Sequence, residues 1–194
     1  MNAPDVSADR LPPLADADLT ADQREAVQEI SAGPRGGLIG PFVPLLRSPE
    51  LMTRLQKVGE HLRFGTVLSL DILELTILTV AQEWGQEFEW GYHRPLAERA
   101  GVPDAVIEAL AEGREPTSFT GDQAVAYAVA QQLQRAHRVD EDTFARAVAV
   151  FGEDGFVELV ATVGYYTTLA MVMNAAQTPP PPPDGGPRLQ AGGR

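Results

Sequence analysis

Residues 69–101, SLDILELTILTVAQEWGQEFEWGYHRPLAERAG, decide how this chain is read. The run from Leu70 to Ala81 is almost wholly apolar, yet it carries Glu74 in its interior. Ser69-Leu70-Asp71 supplies a helix start, and Gly85 supplies a bend before a second run opens at Gln86. In that second run Glu89 and His93 stand four positions apart. Four residues of helix turn through about 400°, so the two side chains share one face. A carboxyl group on an apolar helix needs a partner or an altered protonation equilibrium. Glu74, Glu89 and His93 are therefore the chain's candidate catalytic residues. Trp84 and Trp90, the two tryptophans of the chain, lie in the same stretch and are expected in the core.

Working outward, every other segment with a period reads as helix. Thr20-Ala21-Asp22-Gln23 is a capping box opening a short amphipathic helix that Gly33-Pro34-Arg35-Gly36-Gly37 ends. The apolar loop Gly40–Leu46, pinned by Pro41 and Pro44, reads as a core plug ahead of a pocket wall. Ser48-Pro49-Glu50 starts a helix that stops at Gly65, with His61 and Arg63 suited to its negative end. Pro95 predicts a kink after His93. Further helices follow from Asp104, from the capping box Thr120–Gln123, from Asp140 to Gly152, and from Glu153 to Ala176. The last is apolar nearly all round, which implies burial. No strand period competes. The fold class is all-α, a compact bundle of about seven or eight helices. Residues 1–18 read as an extended N-terminal arm, 19–177 as a single helical domain, and 178–194, with five consecutive prolines, as a disordered Pro/Gly-rich tail.

Composition removes whole classes of function. The 194 residues carry a formal net charge of −12, which is unsuited to a phosphate backbone, so no nucleic acid is expected. The chain has no cysteine, which removes disulfides, thiolate metal sites and thiol redox chemistry. Three histidines argue against an all-histidine metal centre, and no metal is expected. No run reaches about 18 consecutive apolar residues, and the first ten residues do not read as a signal peptide. The expectation is a cytoplasmic protein without a membrane partner.

At Glu74…Trp84…Phe88-Glu89-Trp90…His93 the sequence resembles the carboxymuconolactone decarboxylase family, within the alkylhydroperoxidase-D-like superfamily. The family pattern is a glutamate in an apolar helix, an aromatic-Glu-Trp-x-x-His run, then Ala-x-x-x-Gly. Here these read LELTILTVA, FEWGYH and LAERAG. A weaker likeness extends over residues 10–178. The peroxidase branch carries Cys-x-x-Cys seven and four residues before the histidine, where this chain has Gln86 and Glu89. Thiol peroxidase chemistry needs a thiolate and a resolving partner, so the resemblance is to a cysteine-free branch. It implies an alkylhydroperoxidase-D-like helical domain, no cofactor and a homo-oligomer, a trimer or hexamer, with sites near subunit contacts.

The residues permit a cofactor-independent decarboxylase, a carboxy-lyase acting on a small unsaturated lactone or keto carboxylic acid. His93 would donate the proton, Glu89 would set its tautomer, and Glu74 would serve as acid or hydrogen-bond donor. Arg63 and Arg94 are the candidates for binding a substrate carboxylate, and Trp84, Phe88 and Tyr92 for apolar wall. Two rivals use the same residues: a cofactor-free isomerase, cyclase or hydratase, and a non-catalytic oligomeric binding protein in which Glu89 and His93 are a structural pair.

Overall fold

A computed structural model describes residues 9–190. The expected arm over residues 1–8 and the last four residues of the tail lie outside them. Eight α-helices follow in order: α1 (Ala21–Ala32), α2 (Phe42–Leu45), α3 (Pro49–Phe64), α4 (Leu70–Glu83), α5 (Glu87–Ala100), α6 (Asp104–Ala111), α7 (Gly121–Ala136) and α8 (Glu141–Ala176). No strand occurs among the described residues.

Helix α4 is the axis of the bundle. Every residue from Ile72 to Ala81 is buried. Leu73, Ile77 and Val80 face the core shared with α1, α2, α3 and α8. Leu75, Leu78 and Ala81 meet α5, α6 and α7, and Ile72 meets α7 and α8. A helix apolar on all sides is stable only when covered on all sides, and here it is. Its buried hydroxyls are satisfied locally: Thr76 Oγ1 donates to Ile72 O at 2.7 Å and Thr79 Oγ1 to Leu75 O at 2.8 Å. Gly85, with φ of 56°, reverses the chain so that α5 packs antiparallel along α4.

Caps largely follow the sequence. Thr20 and Gln23 bond reciprocally, at 2.9 and 3.2 Å. Ser48 and Ser69 make no side-chain cap bond, and at α3 the proline at the first position takes over. Helix α5 continues through Pro95 to Ala100 and ends at Gly101 in the left-handed region. Helix α8 is interrupted at Gly152 (φ 73°, ψ 172°), where the sequence places a boundary. By length and composition α8 would also suit a membrane span, but here it lies along α3, α4 and α7.

Both flanking segments pack onto the bundle. Arg10 N–H donates to Ala176 O at 2.8 Å, and Arg47 reaches Pro12 O. Residues 178–190, which the sequence reads as a disordered tail, lie against the bundle. Trp90 Nε1 donates to Pro187 O at 2.8 Å, Gln190 N–H to Ala111 O at 2.8 Å, and Leu189 joins the α4–α7 core. The proline run lies on Gly91, where an added Cβ would stand 2.7 Å from Pro181 Cγ. A polyproline segment has little entropy left to lose, so a few anchors suffice to hold it.

Candidate active site

The α4–α5 hairpin brings the three candidate catalytic residues together. Gln86 fixes the start of α5: its Oε1 accepts the N–H groups of Phe88 (2.6 Å) and Glu89 (3.3 Å), and its Nε2 donates to Asn174 Oδ1 on α8. Asn174 in turn donates to Trp84 O. This lattice sets the rotation of α5 and turns Glu89 and His93 inward. His93 Nδ1 lies 2.7 Å from Glu74 Oε2, and its Nε2 lies 3.3 Å from Glu89 Oε2. All three side chains are buried.

A ring with a carboxylate at each nitrogen is arranged as an imidazolium donating both ways. Burial alone would lower the pKa of His93; the charge and hydrogen bond of Glu74, followed by Glu89, outweigh it and hold the value above the ordinary 6.5. Tyr166 of α8 stands edge-on to the ring at 5.2 Å, and burial holds its phenol well above its usual pKa. Tyr92 also meets the ring edge-on, at 5.2 Å.

Beside the triad is a small cavity. Its walls are Ile39, Pro41, Phe42, Phe88 and Leu169, with Glu89, His93, Tyr92, Tyr166, Arg35 and Arg63 as the polar members. The free space is about 20 Å³ for a water-sized body, room for one ordered water. Arg63, from the end of α3, lies 5.7 Å over the Tyr92 ring. Arg35, from the loop between α1 and α2, lies 4.8 Å over Phe42.

Six of the eight residues singled out in the sequence thus meet: Glu74, Glu89, His93, Arg63, Phe88 and Tyr92. Two do not. Trp84 packs against the core and donates from Nε1 to Gln134 Oε1 at 2.8 Å, away from the cavity. Arg94 points out of the opposite side of α5, where it pairs with Glu98 and with Asp184 of the tail. On a helix, adjacent positions diverge by 100°, so His93 and Arg94 cannot share a face. Sequence reasoning missed Arg35, which sits in a glycine-rich break with no periodicity to place it. The apolar loop proves to be both plug and wall: Phe42, Leu45 and Leu46 are buried, while Pro41 and Phe42 border the cavity. His61 is no terminal cap for α3 alone; it pairs with Glu158 at 2.9 Å. Among the described residues no group of three or more His, Asp or Glu is arranged to hold a metal.

An all-α bundle with a Glu–His–Glu triad across a helical hairpin defines the class. Residues 49–132 match the carboxymuconolactone decarboxylase family, and Glu74, Glu89 and His93 fall inside that span. The resemblance read from the sequence therefore holds, on the cysteine-free side. The fold is alkylhydroperoxidase-D-like. A similar solved structure is an alkylhydroperoxidase AhpD core, an uncharacterized peroxidase-related protein from Ralstonia eutropha JMP134. It is 15% identical with a TM-score of 0.72, over 89% of this chain and 92% of the other. Comparison with curated proteins found no match.

Proposed function

We propose that this protein is a cofactor-independent acid–base enzyme that decarboxylates a small unsaturated lactone or keto carboxylic acid. The observation that carries the reading is the buried Glu74–His93–Glu89 triad opening onto a cavity with apolar walls and guanidinium groups. In the reaction the bond between the substrate carbon and its carboxylate breaks, and CO2 departs. The electron pair passes into the conjugated carbonyl as a dienolate, which the positive groups of the cavity stabilise. The imidazolium of His93 then gives its proton to carbon and is reprotonated from solvent. Glu74 keeps the ring oriented and charged between turnovers. Apolar walls exclude water from the dienolate and strengthen its interaction with the cations.

A cytoplasmic homo-oligomer is the setting this reading assumes. Exposed Val58 and Val157 border an apolar groove between α3 and α8, a surface of the kind that subunit contacts cover. The test is incubation with a panel of small unsaturated lactone and keto acids, with CO2 and product mass as readouts. Release of CO2 that disappears in His93→Gln supports the proposal. A mass-neutral product would replace decarboxylation with isomerisation or cyclisation, and CO2 release undiminished in His93→Gln would remove the proton-donor role.

A further inference from the structure

The cavity holds polar atoms that its own residues leave without partners. Arg35 Nε and Nη2 are shielded from solvent and bonded to nothing. So is Glu89 Oε1; the Tyr165 hydroxyl, also unpaired, stands beside Gly59 and off the cavity wall. Unpaired buried donors are costly, on the order of 1–3 kcal/mol each, and natural folds seldom keep them idle. Their neighbour Arg63 differs: its guanidinium lies over the Phe64 and Tyr92 rings, and none of its nitrogens is a buried orphan.

The backbone is cut to admit the Arg35 side chain. Gly59 in α3 is buried, and a Cβ there would collide with both the Arg35 guanidinium and the Tyr165 hydroxyl. Two guanidinium groups, Arg35 and Arg63, border the cavity beside His93, with Glu89 as the carboxylate on its wall; a guanidinium with no carboxylate bonded to it suits an anionic ligand.

We infer that Arg35 is the substrate-anchoring residue, its guanidinium gripping a carboxylate of the ligand that enters this cavity. Arg35 lies outside residues 49–132, so the match to the family does not assign it this role. A guanidinium offers a planar fork that two carboxylate oxygens fill together, and the Phe42 ring beneath it fixes its plane. The cavity is a partly open cleft with free space for about one water, and Arg35 stands on the Gly33–Gly40 loop at its edge. That loop contains Gly33, Gly36, Gly37 and Gly40, and Gly36 and Gly40 have φ of 73° and 53°.

The inference rests on the acid–base reading of the cavity, but its test needs no turnover. Crotonate and its neutral isostere crotonamide are titrated into the full-length protein, with binding followed by NMR and by thermal shift. Crotonate should bind and crotonamide bind at least about tenfold more weakly, the loss expected when a charge-assisted pair is removed. In Arg35→Leu the two ligands should become equivalent, while the apo protein keeps or gains thermal stability because two orphaned donors are gone. Arg35→Gln serves as the second variant should Arg35→Leu fail to fold, and it should show the same loss of discrimination. Equal binding of crotonate to wild type and both variants, equal binding of the two ligands to wild type, or no crotonate binding to wild type would each overturn the inference. None of these results touches the CO2 assay, so the anchor and the decarboxylation reading fail separately.

Discussion

At the scale of the residue, His93 is held between two carboxylates from two helices, and its charge state ties stability to pH. Its pKa is raised in the folded protein above 6.5. The stabilisation from its charged form is therefore complete below the unfolded value and is lost as pH rises through the higher folded value. Stability of the wild type should fall over that window, and the fall should be absent from His93→Gln; parallel Tm-against-pH curves for the two proteins would refute it. The variant should stay folded by circular dichroism but lose about 3 kcal/mol, because two buried carboxylates are left facing one another without a cation. Its turnover should drop by about 10²–10⁴, the usual contribution of a positioned acid. Glu74→Gln removes the larger of the two attractions on the imidazolium. The pH–rate profile should accordingly shift its alkaline limb to lower pH, and an unmoved limb would show that Glu74 does not hold the proton.

At the scale of the element, the site is a property of the α4–α5 hairpin and of the amide that pins it. Gln86 stands at the first Cys position of the peroxidase-type pattern. Here its side chain caps α5 and ties it to α8 through Asn174. Gln86→Ala should cost about 1–2 kcal/mol, the sum of a lost N-cap and a stranded amide, read by denaturant midpoint. It should also weaken activity by letting α5 rotate; full activity with lowered stability would make the cap purely structural. The hairpin was legible from sequence because its signals are local: an apolar run, a glycine bend, and an i,i+4 pair. The error over Arg94 was of the same local kind, since proximity in sequence stood in for direction around a helix.

At the scale of the whole molecule, the tail and the surface matter most. Asp184 reaches Arg94, and Pro187 O accepts the Trp90 indole, so the segment after Gln177 braces the back of the helix whose front carries Glu89 and His93. Deleting residues 178–194 should lower Tm by several degrees, at roughly 2–4 °C per kcal/mol for a chain of this size. It should also shift tryptophan fluorescence to the red, because Trp90 is 2% exposed with the tail in place. An unchanged spectrum and Tm would mean the tail is only laid on the surface. Light scattering should give a multiple of the 20.9 kDa chain mass, and Val58→Glu in the α3–α8 groove should reduce it; a monomer in both cases would remove the oligomer from the functional reading.

The sequence by itself determined the helical class, α1 and α3–α7 within a few residues, α8 as two pieces meeting at Gly152, and the Glu74–Glu89–His93 grouping, because helix period, glycine breaks and i,i+4 spacing are short-range properties; the single-turn α2 was read as a loop, being too short to show a period. Absence of cysteine, equally plain in the sequence, excluded thiol chemistry. Tertiary structure alone decided what those residues face. It took Arg94 and Trp84 out of the site, laid the proline tail along α5, and carried Arg35 from a loop across Gly59 into the cavity. Each of those outcomes depends on segments far apart in the chain coming into register, and no local period encodes such a register.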